Sequence, residues 1–134
     1  MQAAKPELIR ALRGLTTALV TPLDAEGELD TESLERVIEH QIENGTACLF
    51  PLGWCGEGPA LPDRVREATI RRTCAIAAGR VPVMAGISEQ SLARIEPMLR
   101  IAEDAGADYV LATHPSPTRS RRISSAASSR AWPA

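Results

Sequence analysis

Short apolar runs alternate with amphipathic stretches along this chain. Leu15 to Val20 (LTTALV) is a β-branched and aliphatic run closed by Thr21-Pro22 and the turn residues Asp24 to Gly27, and it reads as a buried strand. Asp30 then offers an N-cap, Glu32 sits in the first turn, and Leu34, Val37, Ile38 and Ile42 follow at helical spacing until Asn44-Gly45. Ala47 to Leu52 (ACLFPL) is a second strand, with Pro51 near its end, where a lost ladder donor matters least. A glycine-rich loop, Gly53 to Pro59, leads into a helix over Asp63 to Ala78 with Ile70, Cys74, Ala77 and Ala78 on one face and Gly79 as its stop. Val81 to Ala85 is the third strand. A third helix spans Glu89 to Ala105 with Leu92, Ile95, Leu99 and Ala102 on one face, and Pro97 inside it predicts a break near Glu96. Asp108 to Thr113 is the fourth strand.

Four strands apolar on both faces, alternating with three helices at a period of about 30 residues, predict an α/β fold of parallel strands covered by helices. The pattern alone leaves an open doubly wound sheet and a closed barrel both standing. The first strand-to-helix turn lacks the GxGxxG dinucleotide fingerprint, and no phosphate-loop lysine is present. Beyond Pro117 the period vanishes. Residues 119 to 134 are Arg, Ser or Ala apart from Ile123, Trp132 and Pro133, which predicts a disordered tail over 118–134 behind a domain over 1–117.

Composition narrows the partners. The 134 residues include 15 basic and 17 acidic side chains, a formal net charge of -2 that points to neither nucleic acid nor a membrane surface. All the acids precede residue 119, whereas the last 16 residues hold four arginines and none. A contact segment for nucleic acid or an acidic partner would fit that tail, but four arginines without acids or order favour an out-of-frame stretch of GC-rich codons. Four aromatics (Phe50, Trp54, Tyr109, Trp132) give no stacking platform for single strands. Cys48, Cys55 and Cys74 form no CxxC pair and leave an odd thiol, which fits a reducing cytoplasm, and no run approaches the 18 or so apolar residues of a membrane span.

The candidate chemistry gathers in the loop after the second strand. Segments leaving the carboxyl ends of parallel strands build the active face, and a glycine-rich loop there offers backbone N–H groups to a carboxylate or phosphate. Gly53, Trp54, Cys55, Gly56 and Glu57 are the candidate substrate-binding residues, set against a plain tight turn with no ligand. His40 falls on the polar side of the first helix and is expected to be exposed, His114 at a strand end is read as a local hydrogen-bonding residue and Tyr109 within a strand as packing, and no His/Cys/carboxylate spacing suggests a metal or other cofactor.

These pieces resemble, in register, the pyruvate-dependent class I aldolases of the dihydrodipicolinate synthase and N-acetylneuraminate lyase type. The resemblance runs through Thr17-Ala18-Leu19-Val20-Thr21-Pro22, Asp24, Gly27, Asp30, Gly53-x-x-Gly56-Glu57 with Leu61, Val81 to Gly86, and Ala102-Glu103-x-Ala105-Gly106-Ala107-Asp108. It implies a (β/α)8 barrel, of which about 250 residues are usual, so these strands and helices amount to a partial barrel. It also implies a lysine, on the sixth strand, that forms a Schiff base with pyruvate or another 2-oxo acid, a relay tyrosine on the fifth, and homo-oligomers. The family's loop reads Gly-Thr-Thr-Gly-Glu, with its threonines on the pyruvate carboxylate and the tyrosine; here those positions hold Trp54 and Cys55. The helix opening Leu-Ser/Thr-x-x-Glu-Arg survives as Leu61-Pro62-x-x-Val65-Arg66, and Pro115 is followed by Ser116-Pro117 instead of tyrosines. The sequence has no lysine beyond Lys5. The expectation is therefore an inactive N-terminal half of such a lyase, ending in a frameshift or premature stop after about Pro115, with no catalytic residue of its own. A non-enzymatic half-barrel that self-associates or docks on a full-length paralogue is the alternative, and a carboxylate-binding module a third.

Overall fold

In a computed structural model the described residues are 13–113; Lys5, His114 and the expected tail lie outside them. The chain alternates strand and helix: β1 (Thr16–Ala18), α1 (Thr31–Glu43), β2 (Cys48–Phe50), a 3-10 turn (Gly58–Ala60), α2 (Asp63–Ala77), β3 (Met84–Gly86), α3 (Leu92–Ala105) and β4 (Tyr109–Leu111). Strands β1 and β2 pair in parallel with Thr17 opposite Leu49, and β3 and β4 pair in parallel with Ala85 opposite Val110. A single parallel bridge, Leu49 to Val83, joins the two pairs, so the strands lie in chain order.

The first helix forms as its sequence indicates. The Asp30 carboxylate accepts the Ser33 N–H at 3.0 Å, and this hydrogen bond together with that of the Ser33 hydroxyl holds Asp30 below the usual carboxylate range. Leu34 and Ile38 are buried, while His40 is exposed as expected. In α2 the N-cap residue is Pro62, which has no side-chain acceptor, and the left-handed stop begins at Ala78, one residue before the expected glycine. Ala78 is accordingly exposed. The core face of α2 is wider than the periodicity suggests, since Val65, Arg66, Thr69 and Thr73 are buried beside Ile70 and Ala77.

Helix α3 departs further. It begins at Leu92 rather than Glu89, because Glu89 turns inward to pair with arginines. It also runs through Pro97 without the expected break. Only the carbonyl of Ala93 loses a donor to the proline ring, and Ala93 is exposed, so water can serve it. Leu92 is 78% exposed and Met98 is buried in place of the face expected for Leu92.

Two apolar clusters hold the layers together. Leu19, Leu34, Ile38, Leu49, Ala77 and Val83 pack where α1 and α2 meet the first strands. Leu52, Ile70, Ala85, Ile87, Met98 and Ala102 pack between α2, α3 and the later strands. Burial on both faces holds for the middle of the sheet but not for its margins. Leu15 and Val20, flanking β1, are 65% and 53% exposed, and Val110 in β4 is 42% exposed. Among the described residues each outer strand is paired on one side only, and the ordered ladders are shorter than the apolar runs.

Candidate functional site

The loop that leaves β2 owes its shape to one buried residue. Leu52 has a left-handed backbone (φ +59°) although its side chain fills the second cluster. Such a conformation costs roughly 1–3 kcal/mol and persists only where the surroundings over-determine it. Here they do. The Gly86 N–H donates to the Pro51 carbonyl at 2.9 Å, and a Cβ on either Gly58 or Gly86 would sit 2.3 Å from the Leu52 carbonyl oxygen. A Cβ on Gly56 would lie 2.7 Å from the Leu19 carbonyl oxygen, and the Thr21 hydroxyl donates to the Gly56 carbonyl at 2.8 Å, tying the segment after β1 to this loop.

The turn closes through Gly53, whose carbonyl accepts the N–H groups of Gly56 at 3.1 Å and Gly58 at 3.3 Å. The N–H groups of Gly53, Trp54 and Cys55 donate to no acceptor among the described residues. Consecutive unpaired amides at the carboxyl end of a parallel strand suit an anion.

Beside Gly53 and Trp54 lies a small, shallow hollow open to solvent. Phe50, Leu52, Pro59 and Leu111 make its apolar walls, and Trp54, 80% exposed, stands at its rim. Its polar side is Ser88 and Thr113. The Thr113 N–H and hydroxyl both donate to the Ser88 oxygen, at 3.0 and 2.9 Å, which leaves the Ser88 proton available to a ligand.

Of the five residues expected from the sequence, Gly53 and Trp54 line this hollow. Cys55 is exposed rather than a buried structural thiol, and Gly56 is buried beneath the end of β1. Glu57 takes a left-handed conformation (φ +53°) and is exposed. Its backbone N–H, donating to the Trp54 carbonyl at 3.1 Å, orders the turn, whereas its carboxylate caps nothing. Ser88 and Thr113 are functional candidates that sequence reasoning missed, although the carboxyl ends of β3 and β4 fall under the same rule that singled out the β2 loop.

A second missed group underlies the site. Arg66 of α2 is buried and donates to Glu89, itself buried, while Arg94 of α3 donates to the other Glu89 oxygen at 3.0 Å. Burial pushes the Glu89 carboxyl up, but the hydrogen bonds from Arg94 and Arg66 outweigh it and hold the group below its ordinary value. Arg66 also reaches the Ser88 carbonyl at 3.5 Å. Arg66 Nε is buried without a partner among the described residues. Tyr109 is half-buried in β4, and burial and the neighbouring Asp108 raise its phenol. No group of three or more metal-ligating side chains occurs among the described residues, and none of their helices is long and apolar enough to cross a membrane.

Comparison with known proteins bears on this site. Residues 11–119 match the Dihydrodipicolinate synthetase family. The chain is 41% identical over 103 residues to 4-hydroxy-tetrahydrodipicolinate synthase of Thermotoga petrophila, covering 77% of this chain and 35% of that protein. Among solved structures, the 4-hydroxy-tetrahydrodipicolinate synthase from Methylacidiphilum fumariolicum SolV superposes with a TM-score of 0.76 at 34% identity, over 80% of this chain and 35% of that one. A prophage protein of the dihydrodipicolinic acid synthase family from E. coli K12, in complex with pyruvate, gives 0.73 at 29% identity over 75% and 34%. The chain thus spans about a third of the length of the relatives it matches.

Proposed function

Because the chain belongs to the dihydrodipicolinate synthetase family, we propose that these 134 residues form four β-strands of a partial (β/α)8 barrel and supply one side of a pyruvate-dependent aldolase site. The carboxylate of a 2-oxo acid such as pyruvate lies on the amides of Gly53, Trp54 and Cys55, with the Ser88 hydroxyl donating to it or to the oxo group. The observation that carries this reading is the loop itself, a Gly53-x-x-Gly56-Glu57 turn at the carboxyl end of β2 whose consecutive N–H groups are unpaired beside an open hollow.

Aldol chemistry of this type needs an uncharged amine that attacks the ketone, loses water and leaves an iminium as electron sink. The one lysine of the sequence, Lys5, precedes the first strand. By itself, then, this chain holds the acid without condensing with it. Incubation with pyruvate and borohydride followed by intact-mass measurement tests this: no adduct is expected, and a stoichiometric one overturns the inactive reading.

A second reading has an observation of its own. The exposed Leu15, Val20 and Val110 beside strands paired on one side favour a half-barrel that associates with a second copy or a full-length paralogue. Sedimentation over a range of concentrations would show a monomer if that reading is wrong.

A further inference from the structure

A hydroxyl has one proton to give and two lone pairs to offer. Both lone pairs of Ser88 are taken, one by the Thr113 N–H at 3.0 Å and one by the Thr113 hydroxyl at 2.9 Å, so the bond that Ser88 has left is one that it donates. We propose that Thr113 is a positioning residue that fixes Ser88 as a dedicated donor to the oxo oxygen, and that the pair makes the site hold 2-oxo acids in preference to 2-amino acids. The inference rests on the 2-oxo acid site proposed above.

The backbone that carries Ser88 is tied on both sides. The Ile87 N–H donates to the Leu111 carbonyl at 2.9 Å, and Glu89 is buried between Arg66 and Arg94, with Arg66 also reaching the Ser88 carbonyl at 3.5 Å. Ser88 and Thr113 line the same hollow as Gly53 and Trp54, so an acid whose carboxylate lies on the loop amides presents the group on its second carbon to Ser88. An oxo oxygen there accepts the Ser88 proton. An ammonium brings three protons and no acceptor, and it meets an oxygen whose lone pairs are already used. Two donors then face each other, each having given up water for a bond that does not form.

Titration of the 134-residue chain with pyruvate, propanoate and L-alanine, followed by amide NMR, tests this. Pyruvate is expected to bind about tenfold tighter than either of the others, and Ser88→Ala should bring it down to propanoate. Thr113→Val frees one lone pair of Ser88, so pyruvate should lose affinity while L-alanine gains, and Thr113→Ser should restore the parent order. The valine variant also deletes the threonine oxygen, so any gain by L-alanine comes through Ser88. A purely structural role for Thr113 would weaken all three acids together, and that result overturns the proposal. Pyruvate no tighter than propanoate, or L-alanine matching pyruvate in the parent chain, overturns the role of Ser88 and leaves the carboxylate site standing. Binding of none of the three overturns both.

Discussion

The inner strands and the outer strands of this sheet are built from similar apolar runs, yet only the inner pair is enclosed. Leu49 and Val83, joined by the bridge between β2 and β3, are buried under helices, and the loops leaving these strands interlock through Leu52, Gly58 and Gly86. Around β1 and β4, Leu15, Val20 and Val110 stand in solvent. An apolar run therefore specifies a strand, while its neighbours decide whether that strand is core or contact surface.

The sharpest way to break this contrast is to strand a charge beneath the inner loops. Glu89→Ala leaves the Arg66 guanidinium buried with only the longer contacts to Asp63 and the Ser88 carbonyl, both at 3.5 Å, and should cost about 3 kcal/mol, read as a fall in the urea midpoint. Gly86→Ala drives a methyl to within 2.3 Å of the Leu52 carbonyl and should cost about 1–3 kcal/mol or more, with thermal melts as the measure. Either variant melting like the parent would show that the inner loops are not held as described.

Acid titration probes the same region more gently. The folded-state value of Glu89 lies below its ordinary 4.5 because Arg94 and Arg66 overcome its burial. Its stabilisation is thus complete above about pH 4.5 and is lost as the pH falls through the lowered value. Glu89→Gln should flatten that acid limb, and an unchanged limb would assign it to other carboxylates.

The outer strands should respond in the opposite sense. Val110→Thr is expected to change stability by less than about 0.5 kcal/mol while weakening any self-association seen by sedimentation. The thiols give the smallest contrast. Burial and Asp108 push Cys74 up to about 11 and raise buried Cys48, so exposed Cys55 alone should label quickly with iodoacetamide at neutral pH. Labelling of all three at one rate would mean the inner layers open readily.

The sequence carries local information about this fold better than it carries encounters. Asp30 and the spacing of Leu34 and Ile38 specify α1 almost residue for residue, because a cap and a helical stripe are short-range features. Glu89 looks like an acid in a first helical turn, and nothing within the next few residues says that Arg66, 23 positions earlier, will meet it in the interior. The same holds for Pro97, whose cost depends on whether the orphaned carbonyl faces water. In the site, the glycine pattern is legible because close backbone approach admits no other residue. Ser88 and Thr113 escape notice because their hydroxyls meet only once β3 and β4 lie side by side.

Leu52 and the glycines pressed against it divide labour within the loop. The path of the chain is set by residues with no chemistry to offer, so the positions that face outward, 54 and 55, are released from any duty to folding. Substitutions there leave the route of the turn unaltered. Such a turn is a variable tip on a fixed mount, and a pair as unlike threonine as Trp54 and Cys55 can be seated in it with the fold intact.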